Sequence, residues 1–590
     1  MNADLSPVGM RYTDSTLMPA PLDVLLGDLE VARQDFSPAA SHRIKKLLQE
    51  LERLELSEPK ALLRFHEALL FLRAFPQSAS VVTAVERLLD TFHVRSEKAR
   101  ASGLDMTVFD DFDTSGIAGT TMQDTLNFEV ARWLVRLIPD NVEIAWNDYE
   151  EERAMGATWP RFVPLLREDS EVEANIPWRR WLDSARGREK ELAWLIRQFE
   201  RWSPYATESE RGRAELYDSM RLPVRWRLEN LKLSRTRNWR RPREFFFHRG
   251  PLTVRKEVSL AAELARPSPK LKRVPRREAE ATMQLIREVM VVRYRELYGT
   301  TLGDPASVVR AELDHGVEMY FWNLPPERRL PLRAYVAGFT LKNGVPVNYI
   351  EAIGLCDWIE VGFNTFYTYR QGETAWIYAQ ALRCLCALTG ASTISIYPYQ
   401  IGQENDEALD SGAFWFYRKL GFRSGNPELE KLARDEEKKI GDNPKYRTPR
   451  RILNRLADAH IFFEVTSTLS EIQPGAWDTF STRNIGLRVS ERMAREFHGN
   501  ADRFRTASIR KVAKALQLDL TTWIGSAYRS LENWSSVIGL IPDLRKWAET
   551  EKRDLVAIMR SQSGRNEMRY LRLTQRHVRL RECLLRLGSQ

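Results

Sequence analysis

Four cysteines in 590 residues, Cys356, Cys384, Cys386 and Cys583, are too few and too unevenly placed to staple the chain. A disulfide scaffold is excluded, and reduced thiols in a cytoplasmic protein are the expectation. Histidine is scarce too: the eight residues, among them His66, His93, His315 and His498, show no metal-ligand spacing with one another or with cysteine, so no metal is expected. Long apolar runs are missing. ALLRFHEALLFLRAF is interrupted by Arg64, His66, Glu67 and Arg73, and the N-terminal MNADLSPVGMRYTDSTLMPAP has no basic region followed by an apolar block. Neither a membrane span nor a signal peptide is therefore expected. The net charge of +9 is small against 29% charged residues, which permits an anionic partner without demanding one.

What is present first is helical periodicity. Ile44, Leu47, Leu48 and Leu51 form one apolar stripe after a candidate cap at Ser41, VVTAVERLLDTF forms another, and Pro76 with QSAS separates two helices. Trp178, Trp181, Trp194 and Trp202 fall at spacings that suit an inner helix face.

Between Lys232 and Lys256, nine Lys or Arg accompany a single acid, Glu244, with Trp239 and Phe245 to Phe247 interleaved. Two readings stand: a surface that contacts a phosphate backbone and stacks bases, or a solvated linker. The C-terminal RNEMRYLRLTQRHVRLRECLLRL, seven Arg against two Glu on a helical period, reads as a basic-faced helix docked on the rest of the chain or as a surface for an acidic partner. VFDDFDTSG lacks the acids of a calcium loop and reads as a capped acidic loop.

After Arg277 the pattern changes. A helix over EAEATMQLIREVMVVRYRELYG leads to period-two runs VEMYFWNL and LRAYVAGFTLK, then Asn343-Gly344, then VPVNYIEAIGLCDWIEVGF. Asn-Gly between alternating runs signals a hairpin, because both turn positions need positive φ. Next come YRQGETAWIYAQALRCLCALTG, a turn and helix; STISIYP, a buried strand; and SGAFWFYRKLGF, an aromatic helix stopped by Gly421.

That order of elements, over roughly Glu278 to Gly425, resembles the GNAT acyltransferase superfamily. Asp410, Ala413, Tyr417, Lys419, Gly421 and Phe422 fall in the register of the family's closing signature, with Asp410 where Asn is usual. The pyrophosphate loop is matched by Arg370 and Ala375, while Glu373 stands at its central glycine position and Gly372 comes one residue early. Three outcomes fit this departure: the loop shifts to use Gly372, Glu373 points away as a first-turn acid, or the pocket takes another ligand.

The resemblance implies acyl transfer from acetyl-CoA or another acyl-CoA to a small-molecule or protein amine. Tyr417 would be the general acid, and Arg370, Gln371, Gly372 and Ala375 would lie at the phosphates. It also implies a carboxylate on the meander as base and a strand N–H near Val361 at the oxyanion. Strand parity puts Trp358, Glu360 and Gly362 on one face, so Glu360 either faces the cleft as that base or faces solvent. Two alternatives stand beside this one: an aminoacyl-tRNA-dependent transferase on the same fold, which would use the basic segment, and a non-catalytic scaffold. The expected architecture is an α+β multidomain chain. It has a mainly helical N-terminal region (1–230), a basic, proline-containing connecting segment (231–277), a GNAT-like α/β domain with a mostly antiparallel sheet (278–445) and a mainly helical C-terminal region (446–590).

Overall fold

The computed structural model describes residues 21–589 apart from 57, 164, 167, 169–171, 173–177, 202–209, 296 and 466–474. Residues 1–20 of the N-terminal MNADLSPVGMRYTDSTLMPAP, and Trp202, lie outside the described residues, as does the side chain of Trp178.

The chain is α+β, with helices at both ends of a large mixed sheet. The stripe of Ile44, Leu47, Leu48 and Leu51 is the buried face of helix Ala40–Arg53, which begins one residue before Ser41. Val81, Val85, Leu88 and Leu89 are buried on helix Ala79–Asp90, whose first turn is capped by the Ser78 hydroxyl accepting from Val81 N–H. The N-terminal region is not wholly helical. Strands β1 (Thr121–Thr125), β2 (Val142–Ile144) and β3 (Pro223–Arg227) form a small antiparallel sheet in the order β1-β3-β2. Strands of three to five residues are too short to display a period of two.

The main sheet has nine strands: β4 (Leu271–Arg273), β5 (Val309–Leu313), β6 (Val317–Trp322), β7 (Ala334–Lys342), β8 (Val345–Leu355), β9 (Trp358–Thr365), β10 (Thr393–Ile396), β11 (Arg423–Ser424) and β12 (Ile461–Glu464). Their order is β11-β12-β10-β9-β8-β7-β6-β5-β4. From β4 to β9 every neighbour is antiparallel, and β7 is buried along its whole length. Asn343 and Gly344 turn β7 into β8 with φ of 48° and 76°, as the dipeptide requires. Gly344 is also fixed by crowding, since a Cβ there would stand 1.7 Å from the Arg240 carbonyl oxygen.

β9 and β10 are the exception to the antiparallel order. They run parallel, joined by the crossover helix Thr374–Thr389, and β12 and β11 then continue antiparallel. The sheet thus draws one strand from before residue 278 and one from after residue 445, so its boundaries are wider than the sequence pattern gives.

Residues 231–257 are not a loose linker: part of the segment is packed inward, while Lys232, Arg241, Arg243, Arg249 and Lys256 stay exposed. The segment forms a strap without regular structure until its final turn, clamped between the N-terminal helices and the sheet. Arg235, nearly fully buried, donates to both Glu67 oxygens at 2.7 and 2.8 Å and to the Thr368 hydroxyl at 2.7 Å. Arg240 donates to Glu318 at 2.8 Å. Asn343 Nδ2 donates to the Ala74 and Phe246 carbonyls, and its Oδ1 accepts from Phe246 N–H. One apolar core joins Leu26–Ile117, the sheet and the C-terminal helices; a second, between Met122 and Leu233, meets it through Val291 and Val292. The basic C-terminal helix Glu567–Arg576 docks inward, with Tyr570 and Leu571 buried and Gln575 donating to the Cys356 and Thr389 carbonyls.

Candidate functional site

The site arises where β9 and β10 part. Their pairing covers only Trp358–Glu360 against Thr393–Ser395. Phe366 N–H reaches the Val347 carbonyl at 3.0 Å, so in the alternating antiparallel ladder the even-numbered residues of β9 bond to β8. Val361, Phe363 and Thr365 turn their backbone groups the other way. Val361 stands beside the last pair, and beyond it the edge of β9 has no strand alongside among the described residues. A cavity of about 400 Å³ fills this gap.

Five pieces of chain wall it: the edge Phe363–Thr365, the turn and helix start at Arg370, Gly372, Thr374 and Ala375, the segment from Gln400 to Ser411, the aromatic helix with Ala413, Phe416 and Tyr417, and the end of the strap at Thr253–Arg255. The crossover helix starts without a side-chain cap. Its first backbone bond runs from Ile377 N–H to the Glu373 carbonyl, so the N–H groups of Thr374, Ala375 and Trp376 have no partner among the described residues. Such an end is partly positive and suited to an anion. Arg255 adds a cation that makes no ion pair among the described residues. Arg370 donates to the Thr365 carbonyl at 3.4 Å, pairs closely with Glu407, which also lines the cavity, and stands 3.7 Å from Asp113 of the acidic loop.

Glu373 points away from this space. Its side chain is fully buried on the other side of the turn, with His315 Nδ1 at 2.9 Å, Lys342 Nζ at 3.4 Å and His248 Nε2 at 3.4 Å. Burial opposes its ionisation, but the His315 hydrogen bond and the charges of Lys342 and His248 outweigh that and hold it down to about 2. Burial in turn lowers Lys342 to about 8 and His248 to about 4. Thr253 N–H donates to Glu373 at 3.3 Å, so the cluster fastens the strap end that walls the cavity. Gly372 lines the cavity, yet its lack of a side chain is explained by Phe75, whose Cζ would lie 2.6 Å from a Cβ.

Tyr417 lines the cavity as well. Its ring meets Tyr378, Phe416 and Phe422 edge-on, and its hydroxyl has no hydrogen-bond partner among the described residues. Burial pushes the phenol up, so it stays protonated at neutral pH. The helix carrying it is Ala413–Lys419; Gly421 stops it at φ 110°, as the motif suggests, while Asp410 ends the preceding short helix and pairs with Arg450 at the surface.

Two expected site residues lie elsewhere. Gln371 does not line the cavity; its Oε1 accepts from Arg33 and Gln34 at 3.3 Å each. Glu360 is not on the cavity wall either. It is held by His460 Nε2 at 2.9 Å and Arg333 at 3.5 Å. Gln400 links the two places: it lines the cavity and packs 3.6 Å from the Cβ position of Gly362, on the strand face that Glu360 shares. Sequence reasoning missed Arg255, Gln400, Glu407 and His460, which come from four separate segments. No group of three or more His, Cys, Asp or Glu able to hold a metal occurs among the described residues.

Comparison of the chain with protein-family models, with curated proteins and with solved structures finds no match.

Proposed function

We propose that the chain is a GNAT-like N-acyltransferase whose cavity at the β9/β10 divergence takes an acyl-CoA and whose acceptor is an amine. The observation that carries this reading is the meeting of an uncapped, partly positive helix end, the open edge of β9 and the Tyr417 hydroxyl in one cavity. The residues fit the group: Thr374, Ala375 and Trp376 N–H with Arg255 and Arg370 would hold phosphates, and Glu373 does not oppose them because its charge is neutralised in a separate cluster. An acyl-CoA supplies a thioester carbonyl open to attack by an amine.

Phe363 and Thr365, with free-edge backbone, orient the ligand by the pairing that β10 gives up. Tyr417 holds a proton at Oη and donates it within the cavity; general acids in such positions contribute about 10²–10⁴ in rate. Glu360, off the cavity wall and tied to His460 and Arg333, is not given the role of base. Of the cations that favoured an aminoacyl-tRNA donor, Arg235 and Arg240 are committed to internal ion pairs. Arg241, Arg243 and Arg249 remain exposed.

The test is acetyl-CoA binding by calorimetry, followed by a screen of amines for thiol release. Binding that Arg255→Ala weakens supports the reading; no binding to an intact, folded chain leaves the scaffold reading in its place.

A further inference from the structure

A second cavity lies between helix Phe128–Leu137, helix Arg276–Val291 and the short helix Tyr298–Leu302. It shares no lining residue with the first. Four arginines and one glutamate line it. Glu129 is matched by Arg132, and Arg136 by Glu200. Arg287 and Arg295 are left over, and neither makes an ion pair among the described residues.

These two cations are placed as if for a ligand. Arg287 is half-buried, and its hydrogen-bond partners among the described residues are the Thr300 and Thr301 carbonyls at 3.5 and 3.3 Å, long contacts that leave guanidinium donors unused. Burial lowers its pKa, which means the charge is held there at a cost. Glu129 on the same wall offsets part of this charge at longer range but makes no ion pair with Arg287, and with four arginines to one glutamate the cavity keeps an excess of positive charge that suits an anion. Arg295 lies 4.4 Å over the Phe112 ring. The cavity also has an apolar wall of Val130, Met290, Val291 and Trp133, whose indole N–H is already used on Gln284 at 2.9 Å.

We propose that this cavity binds a small carboxylate with an apolar body, its carboxylate forked by Arg287 and Arg295 and its body against Trp133 and Met290. Size sets the class. At about 160 Å³ the cavity is close to the ~150 Å³ that holds a benzene ring, and it is too small for a nucleotide. Planar guanidinium forks match a carboxylate better than a point charge does.

The experiment is calorimetry on the full chain with benzoate as probe, benzamide as its neutral counterpart and inorganic phosphate as the anion without an apolar body. Arg295→Gln and Arg287→Lys are compared after their ligand-free unfolding midpoints confirm that each is folded. Expected is one benzoate per chain, benzamide and phosphate at least tenfold weaker, and at least a tenfold loss in either variant. No heat with millimolar benzoate, equal binding of benzamide, preference for phosphate, or unchanged binding in both variants would each overturn the proposal.

Discussion

The Glu373 carboxylate stands 3.4 Å from Lys342 Nζ, and both side chains are fully buried. One contact of this kind removes the objection that a carboxylate at the pyrophosphate-loop position would repel phosphate. It also ties the crossover helix, β7 and the strap into one unit. Breaking a buried pair by truncating one partner costs about 3–5 kcal/mol. Glu373→Ala is therefore expected to lose stability of that order in urea unfolding, with a lower midpoint and an unchanged slope. Lys342→Met is expected to lose less, because His315 and His248 still face the carboxylate.

Acid should destabilise the fold well before ordinary carboxylates titrate. His66 and His248 are both held down to about 4, chiefly by burial. Between about pH 4 and 6.5 the unfolded chain carries these protons and the folded chain does not, so stability rises with pH across that window. Each histidine accounts for about 3 kcal/mol between its ends. Below it Glu67 and Glu373, both held near 2, contribute stability that is lost as pH falls from about 4.5 to 2. Urea midpoints measured against pH should decline from pH 6.5 downward, and His66→Gln with His248→Gln should flatten the upper part of the decline. A flat profile down to about pH 5 would contradict this.

Tyr417→Phe separates chemistry from packing. The hydroxyl has no protein partner among the described residues, while the ring packs against Tyr378, Phe416 and Phe422. The variant should keep its stability within about 1 kcal/mol and its affinity for acyl-CoA. Turnover of an identified amine should fall by about 10²–10⁴.

Arg370 and Glu407 compete with any anion that enters the cavity. Glu407→Gln releases the guanidinium and should tighten acetyl-CoA binding, by about tenfold if one charge-assisted bond is gained. Arg370→Ala should weaken it. The reverse order of affinities would show that Arg370 is a structural partner of Glu407 alone.

Local signals in the sequence carried much of the fold. Asn343-Gly344, the Ile44–Leu51 stripe and Gly421 each impose one backbone geometry, and each adopts it. The hairpin at Cys356–Asp357 was illegible, because Cys356 takes φ 53° without being a residue that favours it. β12 escaped because four residues among helices pair with strands distant in sequence, β10 and the two-residue β11. The strap was half legible: Arg235 and Arg240 read as surface until distant Glu67 and Glu318 are brought to them, while Arg241, Arg243 and Arg249 are exposed. Tyr417 and Arg370 could be named from a motif. Arg255, Glu407 and His460 could not, since only tertiary folding gathers them.

The most direct measurement is calorimetric titration of acetyl-CoA into the wild-type chain and into Arg255→Ala, whose side chain makes no ion pair among the described residues and whose loss should not unfold the protein. Saturable binding of one ligand per chain, weakened about tenfold or more in the variant, is the expected result. No binding at millimolar acetyl-CoA, or binding that Arg255→Ala leaves untouched, would contradict the assignment of the β9/β10 cavity to an acyl-CoA.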